Sequence, residues 1–198
     1  MEKVVGMNGI LHLNPVTAPE NATIIITGIG RSGTSMAAGA LHDLGVWIGS
    51  DWRPGIFEDQ PMRTALYHFF HDMRADIITR YNGTLPRWGF KFPSLHNHMH
   101  PPELGQFRAP RMVVMWRDAM AVAARAGVGP GVILAEQAAL WRFVQAVECP
   151  VLMVSYEKAM ENPTAFVSAL AAFSGVKLRA AAVGGVGDAR AYLEAPHE

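Results

Sequence analysis

Cysteine is nearly absent: Cys149 stands alone among 198 residues, so no internal disulfide can form. That scarcity fits a reducing compartment. A surplus of either charge is missing too, since Lys plus Arg and Asp plus Glu both total 17. Neither the basic excess of a nucleic-acid binder nor an acidic tail is present, and any anion must be held by a few local cations. No apolar run approaches the ~18 residues of a membrane span. The opening stretch "MEKVVGMNGILHLNPVTAPE" lacks the continuous apolar segment of a secretory signal. The expectation is a cytoplasmic protein with no nucleic-acid partner and no membrane span. Its composition is 50% apolar, enough for one domain over 1–198 with a substantial core. Oligomeric state is not legible.

What is present is an alternation of short apolar strands and helices. "TIIIT" (23–27), "WGFKF" (88–92), "RMVVMW" (111–116) and "VLMVSY" (151–156) read as buried strands. Between them lie helix-like segments. One follows Ser35 and is closed by Gly45, and a second occupies 130–148 with Glu136 and Arg142 on exposed faces. A third is capped by Asn162 and Pro163, buries Phe166, Leu170 and Phe173, and ends at Gly175. Asp59 and Pro61 open a long helix whose buried face is Leu66, Phe70, Met73 and Ile77. Residues 1–21 read as a strand-poor lead-in and the last twenty as weakly structured. Strands apolar on both faces imply a parallel sheet covered by helices. The expected fold is therefore α/β: a three-layer α/β/α sandwich with a mostly parallel sheet. Its ligand site is expected at the carboxyl ends of the strands.

"TGIGRSGTS" joins the first such strand to a helix. Gly28 and Gly33 have the spacing of a phosphate-binding loop and Ser35 fits its pattern, but Thr34 stands where a nucleotide hydrolase carries lysine. Backbone N–H groups over Gly30 to Thr34, with the positive end of the next helix, can still wrap an anion. Arg31 can fork onto its oxygens.

In order along the chain, "ITGIGRSGTS", "LGVWIGSDWRPGIFED", "WGFKFP", "RMVVMWRDAMAVAAR" and "VSYEKAMENPTAFVSALAAFSGV" resemble the conserved blocks of the PAPS-dependent sulfotransferases. The resemblance covers about residues 23–176, which it marks as the core of the domain, and it implies a P-loop NTPase-like α/β fold. It implies transfer of a sulfonate from 3′-phosphoadenosine 5′-phosphosulfate to a hydroxyl or amine on a small-molecule or glycan acceptor, with no metal. Arg31 then stabilises charge on the leaving phosphate and the sulfonate. Gly30, Ser32, Gly33, Thr34 and Ser35 complete the 5′-phosphate cradle. Lys91, costly inside an apolar strand unless it meets solvent or an anion, contacts the bridging oxygen or the transferring sulfonate. Arg117 stands where the family binds the 3′-phosphate. Arg125, eight residues on, replaces the family's serine and can bind the same group bidentately.

Two bases remain open. Glu58 in "GIFEDQP" is one, and Asp59 beside it reads as a helix cap. His96 is the other, five residues after Lys91, where Pro93 occupies the position that carries a histidine in some relatives. His96, His98 and His100 alternate, and read as a solvated surface string rather than a metal site. Tyr156 and Glu157 match a structural "Y-E" pair, and the C-terminal glycines with Arg190 offer a thin lid. Trp47, Trp52, Phe57 and Phe107 are candidate acceptor walls or core. A P-loop small-molecule kinase, or a sulfotransferase-like anion-binding domain without catalysis, are the alternative functions.

Overall fold

The computed structural model describes residues 5–49 and 57–180, with Ala182, Val183 and Val186. The strands are β1 (Val5–Met7), β2 (Ile10–Leu13), β3 (Ala22–Gly28), β4 (Arg87–Lys91), β5 (Pro110–Trp116) and β6 (Val151–Ser155). The helices are α1 (Thr34–Asp43), α2 (Gln60–Tyr67), α3 (His71–Thr84), α4 (Ala119–Ala126), α5 (Pro130–Ala146), α6 (Tyr156–Glu161) and α7 (Pro163–Ser174). The sheet runs β1-β2-β6-β5-β3-β4. Strands β6, β5, β3 and β4 are mutually parallel, while β1 and β2 add antiparallel at one edge.

Helices cover both faces, giving the three-layer α/β/α sandwich. Alternation along β3 divides the core in two: Ile25 faces a cluster with Met62, Leu66, Val122, Leu140 and Phe143. Ile24 and Ile26 face α1, α6 and α7 through Leu41, Ala159, Phe166 and Leu170. The chain leaves β3 toward β4 on one side and resumes at β5 on the other. The carboxyl ends of β3 and β5 therefore bound a topological switch point, the usual place for a ligand in an open α/β sheet.

Three sequence expectations are corrected. The lead-in is not strand-poor: β1 and β2 form a hairpin around Asn8 and Gly9, both at positive φ (54° and 75°), the backbone a two-residue Asn-Gly turn supplies. The helix from Asp59 does not run through Ile77. It stops at Tyr67 and restarts at His71, with Phe69 at φ 55° between them. Phe70 and Met73 consequently lie outside, with Phe70 51% exposed. Finally, Tyr156 opens α6 rather than closing β6, because the Ser155 hydroxyl accepts the Lys158 N–H as a helix cap. The expected closures of α1 by Gly45 (φ 91°) and of α7 by Asn162 and Gly175 (φ 68°) are found in the structure. Trp52, Arg190 and most of the last twenty residues lie outside the described residues.

Candidate functional site: a cationic loop at the carboxyl edge of the sheet

The loop owes its shape to glycines at β3 and α1. Gly33, at φ 97°, caps α1 by its backbone alone, with no side-chain cap. The first-turn donors are thus not claimed by a capping side chain, and the helix presents its positive end to the loop. A Cβ on Gly33 would overlap the Tyr156 ring, and one on Gly28 would overlap Ser32 Oγ. Arg31 lies between them at φ 67° and is exposed. Ser32 is buried, its N–H bonded to the Ile29 carbonyl at 3.2 Å and its hydroxyl turned inward against Gly28. That hydroxyl is buried with no hydrogen-bond partner among the described residues, and does not face outward. Thr34 is buried as well, whereas Gly30 is exposed.

Lys91 ends β4 directly beside the loop. Its Nζ lies 3.0 Å from Ser35 Oγ and 3.0 Å from Glu58 Oε1. Glu58 Oε2 in turn meets Arg63 Nε at 3.1 Å, so both carboxylate oxygens hold cations. The Lys91 side chain is 4% exposed and that of Glu58 16%. Burial holds the Lys91 ammonium below its ordinary value; the Glu58 carboxylate opposes that effect and Arg63 adds to it. Asp59 turns away from this group: it accepts the Met62 N–H at 2.8 Å as the cap of α2 and the Tyr81 hydroxyl at 2.9 Å.

On the β5 side, Arg117 donates from Nη1 to the Arg31 carbonyl at 3.1 Å and lies over the Tyr156 ring at 4.3 Å. Its Nε is buried without a hydrogen-bond partner among the described residues. Tyr156 thus packs under both the arginine and Gly33 and ties the end of β6 to the loop. Glu157 secures the next connection by accepting the Asp118 N–H at 3.0 Å. Asp118 itself caps α4 through the Ala121 N–H. Arg125 is half-buried in the last turn of α4, roughly 10 Å along the helix axis from Asp118, where its charge suits the helix carboxyl end.

His96 joins from a one-turn 3-10 helix, Leu95–Asn97. The Ser94 N–H bonds the Gly28 carbonyl at 2.7 Å and the Leu95 N–H bonds Thr27 Oγ1 at 3.3 Å, which seats this turn on the start of the loop. The His96 side chain is 2% exposed, with Nε2 3.2 Å from Glu136 Oε2 and Nδ1 buried without a partner among the described residues. Burial lowers its pKa below 6.5, opposed by Glu136. The histidine string is therefore not a solvated one. His96 is buried against α5, His98 packs against Tyr67, Phe69 and Phe92, and only His100 is exposed. Successive side chains of a turn face different neighbours, and two of these neighbours are apolar layers. Among the described residues no group of three metal-ligating side chains is assembled, and no helix is long and apolar enough to cross a membrane.

The sequence reading missed the roles of Arg63, five residues from Glu58, and of Glu136, forty residues from His96; neither contact follows a helical spacing. Of the candidate walls, Phe107 is core, Trp47 packs edge-on to Tyr81 at 4.7 Å, and Phe57 lies against Gly39 of α1.

No protein-family model and no curated protein matches this chain. Solved structures do match. One is retinol dehydratase in complex with androsterone and the inactive cofactor PAP, at a TM-score of 0.47 and 15% identity, covering 98% of this chain and 73% of that one. A likeness of that degree transfers neither ligand nor activity to this chain.

Proposed function

We propose that this chain is a sulfotransferase that moves a sulfonate from 3′-phosphoadenosine 5′-phosphosulfate to an acceptor hydroxyl or amine. One observation carries the reading: the Lys91 ammonium lies 3.0 Å from Ser35 Oγ. In a nucleotide-hydrolysing loop that hydroxyl serves Mg²⁺ and the preceding lysine serves the phosphates. Here a cation from β4 meets the hydroxyl instead, and Thr34 stands in the lysine's place.

The residues fit an anionic nucleotide. The α1 terminus, which has no side-chain cap, and the backbone around Gly33 hold its 5′-phosphate. Arg31 reaches the same oxygens from the rim of the loop. The unpartnered Nε of Arg117 is a buried donor in want of an acceptor, and Arg117 with Arg125 is assigned to the 3′-phosphate. The donor, when bound, supplies the sulfonate: its S–O bond to phosphate breaks as the acceptor oxygen bonds to sulfur. Lys91 and Arg31 neutralise the charge that grows on the phosphate oxygen. The acceptor proton must go to a base. Glu58 is engaged by two cations, whereas His96 has one nitrogen held by Glu136 and the other without a partner. A neutral imidazole whose Nε2–H donates to a carboxylate keeps Nδ1 as proton acceptor. We assign the base to His96 and the orientation of Lys91 to Glu58.

Calorimetry with 3′-phosphoadenosine 5′-phosphate, with and without Mg²⁺, tests the reading. Metal-independent binding that is abolished in Arg31→Ala is expected. Absence of binding at millimolar nucleotide, or Mg²⁺-dependent turnover of ATP, would overturn it in favour of the kinase or a different ligand.

A further inference from the structure

Beyond the reacting groups, the break between α2 and α3 leaves a strip of rings on the surface. Phe70 stacks on His68 at 5.4 Å, His68 meets Tyr67 at 5.5 Å, Tyr67 stacks on His98 at 5.4 Å, and Phe69 lies on His98 at 5.6 Å. Tyr67 is 57% exposed and Phe69 52%. Large rings in this state are not core residues that failed to pack, and contiguous exposed apolar surface marks a contact site. The backbone is held for this arrangement. Phe69 sits at φ 55°, a conformation that costs a non-glycine residue ~1 kcal/mol or more and concentrates at functional sites.

Position gives the strip its meaning. Tyr67 is one helical turn from Arg63 on α2, and Arg63 grips the carboxylate that holds Lys91. At the other end, His98 follows His96 by two residues in one turn. The strip thus leads away from the reacting groups on two connections at once. Its chemistry alternates apolar faces with imidazoles, and residues 67–73 carry no lysine or arginine and a single carboxylate, Asp72. Such a surface does not suit a polyanion. It suits a molecule with apolar C–H faces between hydroxyls, which stays hydrated on its outer side.

Resting on the sulfotransferase reading, we propose that Tyr67, Phe69, Phe70 and His98 form the acceptor subsite, and that the acceptor is an uncharged oligosaccharide stacked along these rings.

The test measures binding of neutral hexose and N-acetylhexosamine tetramers to the full chain by calorimetry, with and without 3′-phosphoadenosine 5′-phosphate. It compares wild type with Tyr67→Ala/Phe69→Gly, a pair that removes exposed rings and relieves φ at position 69. Thermal melting confirms that this variant folds, and Tyr67→Phe serves as the conservative control. Saccharide binding is expected in wild type and in Tyr67→Phe. In the double variant it should weaken by ~10-fold or more, from loss of two ring contacts, while nucleotide binding is unchanged. No saccharide binding in wild type, or equal binding in the double variant, overturns the proposal. Concentration-dependent dimerisation that the double variant abolishes also overturns it, since the strip would then be a self-association surface. Saccharide binding without nucleotide binding would leave the subsite standing and remove the donor reading instead.

Discussion

The ion pair beneath the loop makes an asymmetric prediction. In Glu58→Ala, the Lys91 ammonium, 4% exposed in the wild type, keeps the Ser35 hydroxyl at 3.0 Å as its one hydrogen-bond partner among the described residues. Removing one partner of a buried pair costs about 3–5 kcal/mol when the remaining charge is fully buried. Glu58 is itself 16% exposed, so the lower end, about 3 kcal/mol, is expected. For a chain of this length that corresponds to a fall in Tm of about 6–12 °C. Lys91→Met behaves differently. Glu58 then stays at the rim with Arg63, whose side chain is 50% exposed, and loss of a partly solvated contact costs about 1 kcal/mol. The double variant Glu58→Ala/Lys91→Met should be more stable than Glu58→Ala alone, because the uncompensated cation has gone. Urea unfolding of the four proteins reads all three quantities. A Glu58→Ala variant as stable as wild type, or a double variant less stable than both single ones, would refute the view that Glu58 exists to balance a buried lysine. Added sulfate should restore Tm in Glu58→Ala more than in Lys91→Met, since the lysine is the group left wanting an anion.

The remaining predictions are as follows. Gly33→Ala places a methyl group into the Tyr156 ring and a side chain at φ 97°. It should cost about 1–2 kcal/mol from the backbone alone and weaken nucleotide binding at least ~10-fold; unchanged melting and affinity would contradict the tight loop. In Glu136→Gln the carboxylate that raises the His96 pKa is lost, so the acid limb of the kcat/KM profile should move to lower pH. A limb that stays in place would take the base role from His96. His12, His96 and His98 are all held below 6.5 by burial. The unfolded chain binds protons first as pH falls, so stability from these groups is complete above pH 6.5 and is lost from 6.5 downward toward their lowered folded values. Denaturant midpoints at pH 7.5, 6.5 and 5.5 should fall in that order, and His98→Phe should flatten the decline.

The parallel strands were legible because each is apolar on both faces, and the loop because glycine spacing survives without its lysine. The hairpin was legible in principle: Asn8-Gly9 between apolar pairs is a turn signal that the short flanking strands obscured. The break at Phe69 was not legible, because Leu66, Phe70, Met73 and Ile77 keep a helical period across the point where the Phe70 N–H turns back to the Ala65 carbonyl and Phe69 takes φ 55°. Nor could local pattern pair Lys91 with Ser35, which are 56 residues apart. Register did that: Ile26 of β3 pairs with Lys91 of β4, which brings the lysine level with the end of the strand feeding the loop. The histidine string misled because spacing in sequence says nothing about which layer each ring enters.

Register also explains why the loop tolerates Thr34. A lysine on the loop moves with it, and follows the phosphate that it binds. A lysine on β4 is fixed by the sheet and must be balanced when no anion is present, which Glu58 does from the start of α2. On the proposed reading, an arriving anion would meet Arg31, Arg117 and the α1 terminus, together with a lysine whose charge Glu58 already balances in part. That arrangement offers less uncompensated positive charge than a loop lysine joined by Mg²⁺. A transferring sulfonate carries less charge than a γ-phosphoryl group, and needs less. The displaced lysine and its carboxylate thus support the sulfonate reading through the charge they leave available, independently of any resemblance in the loop itself.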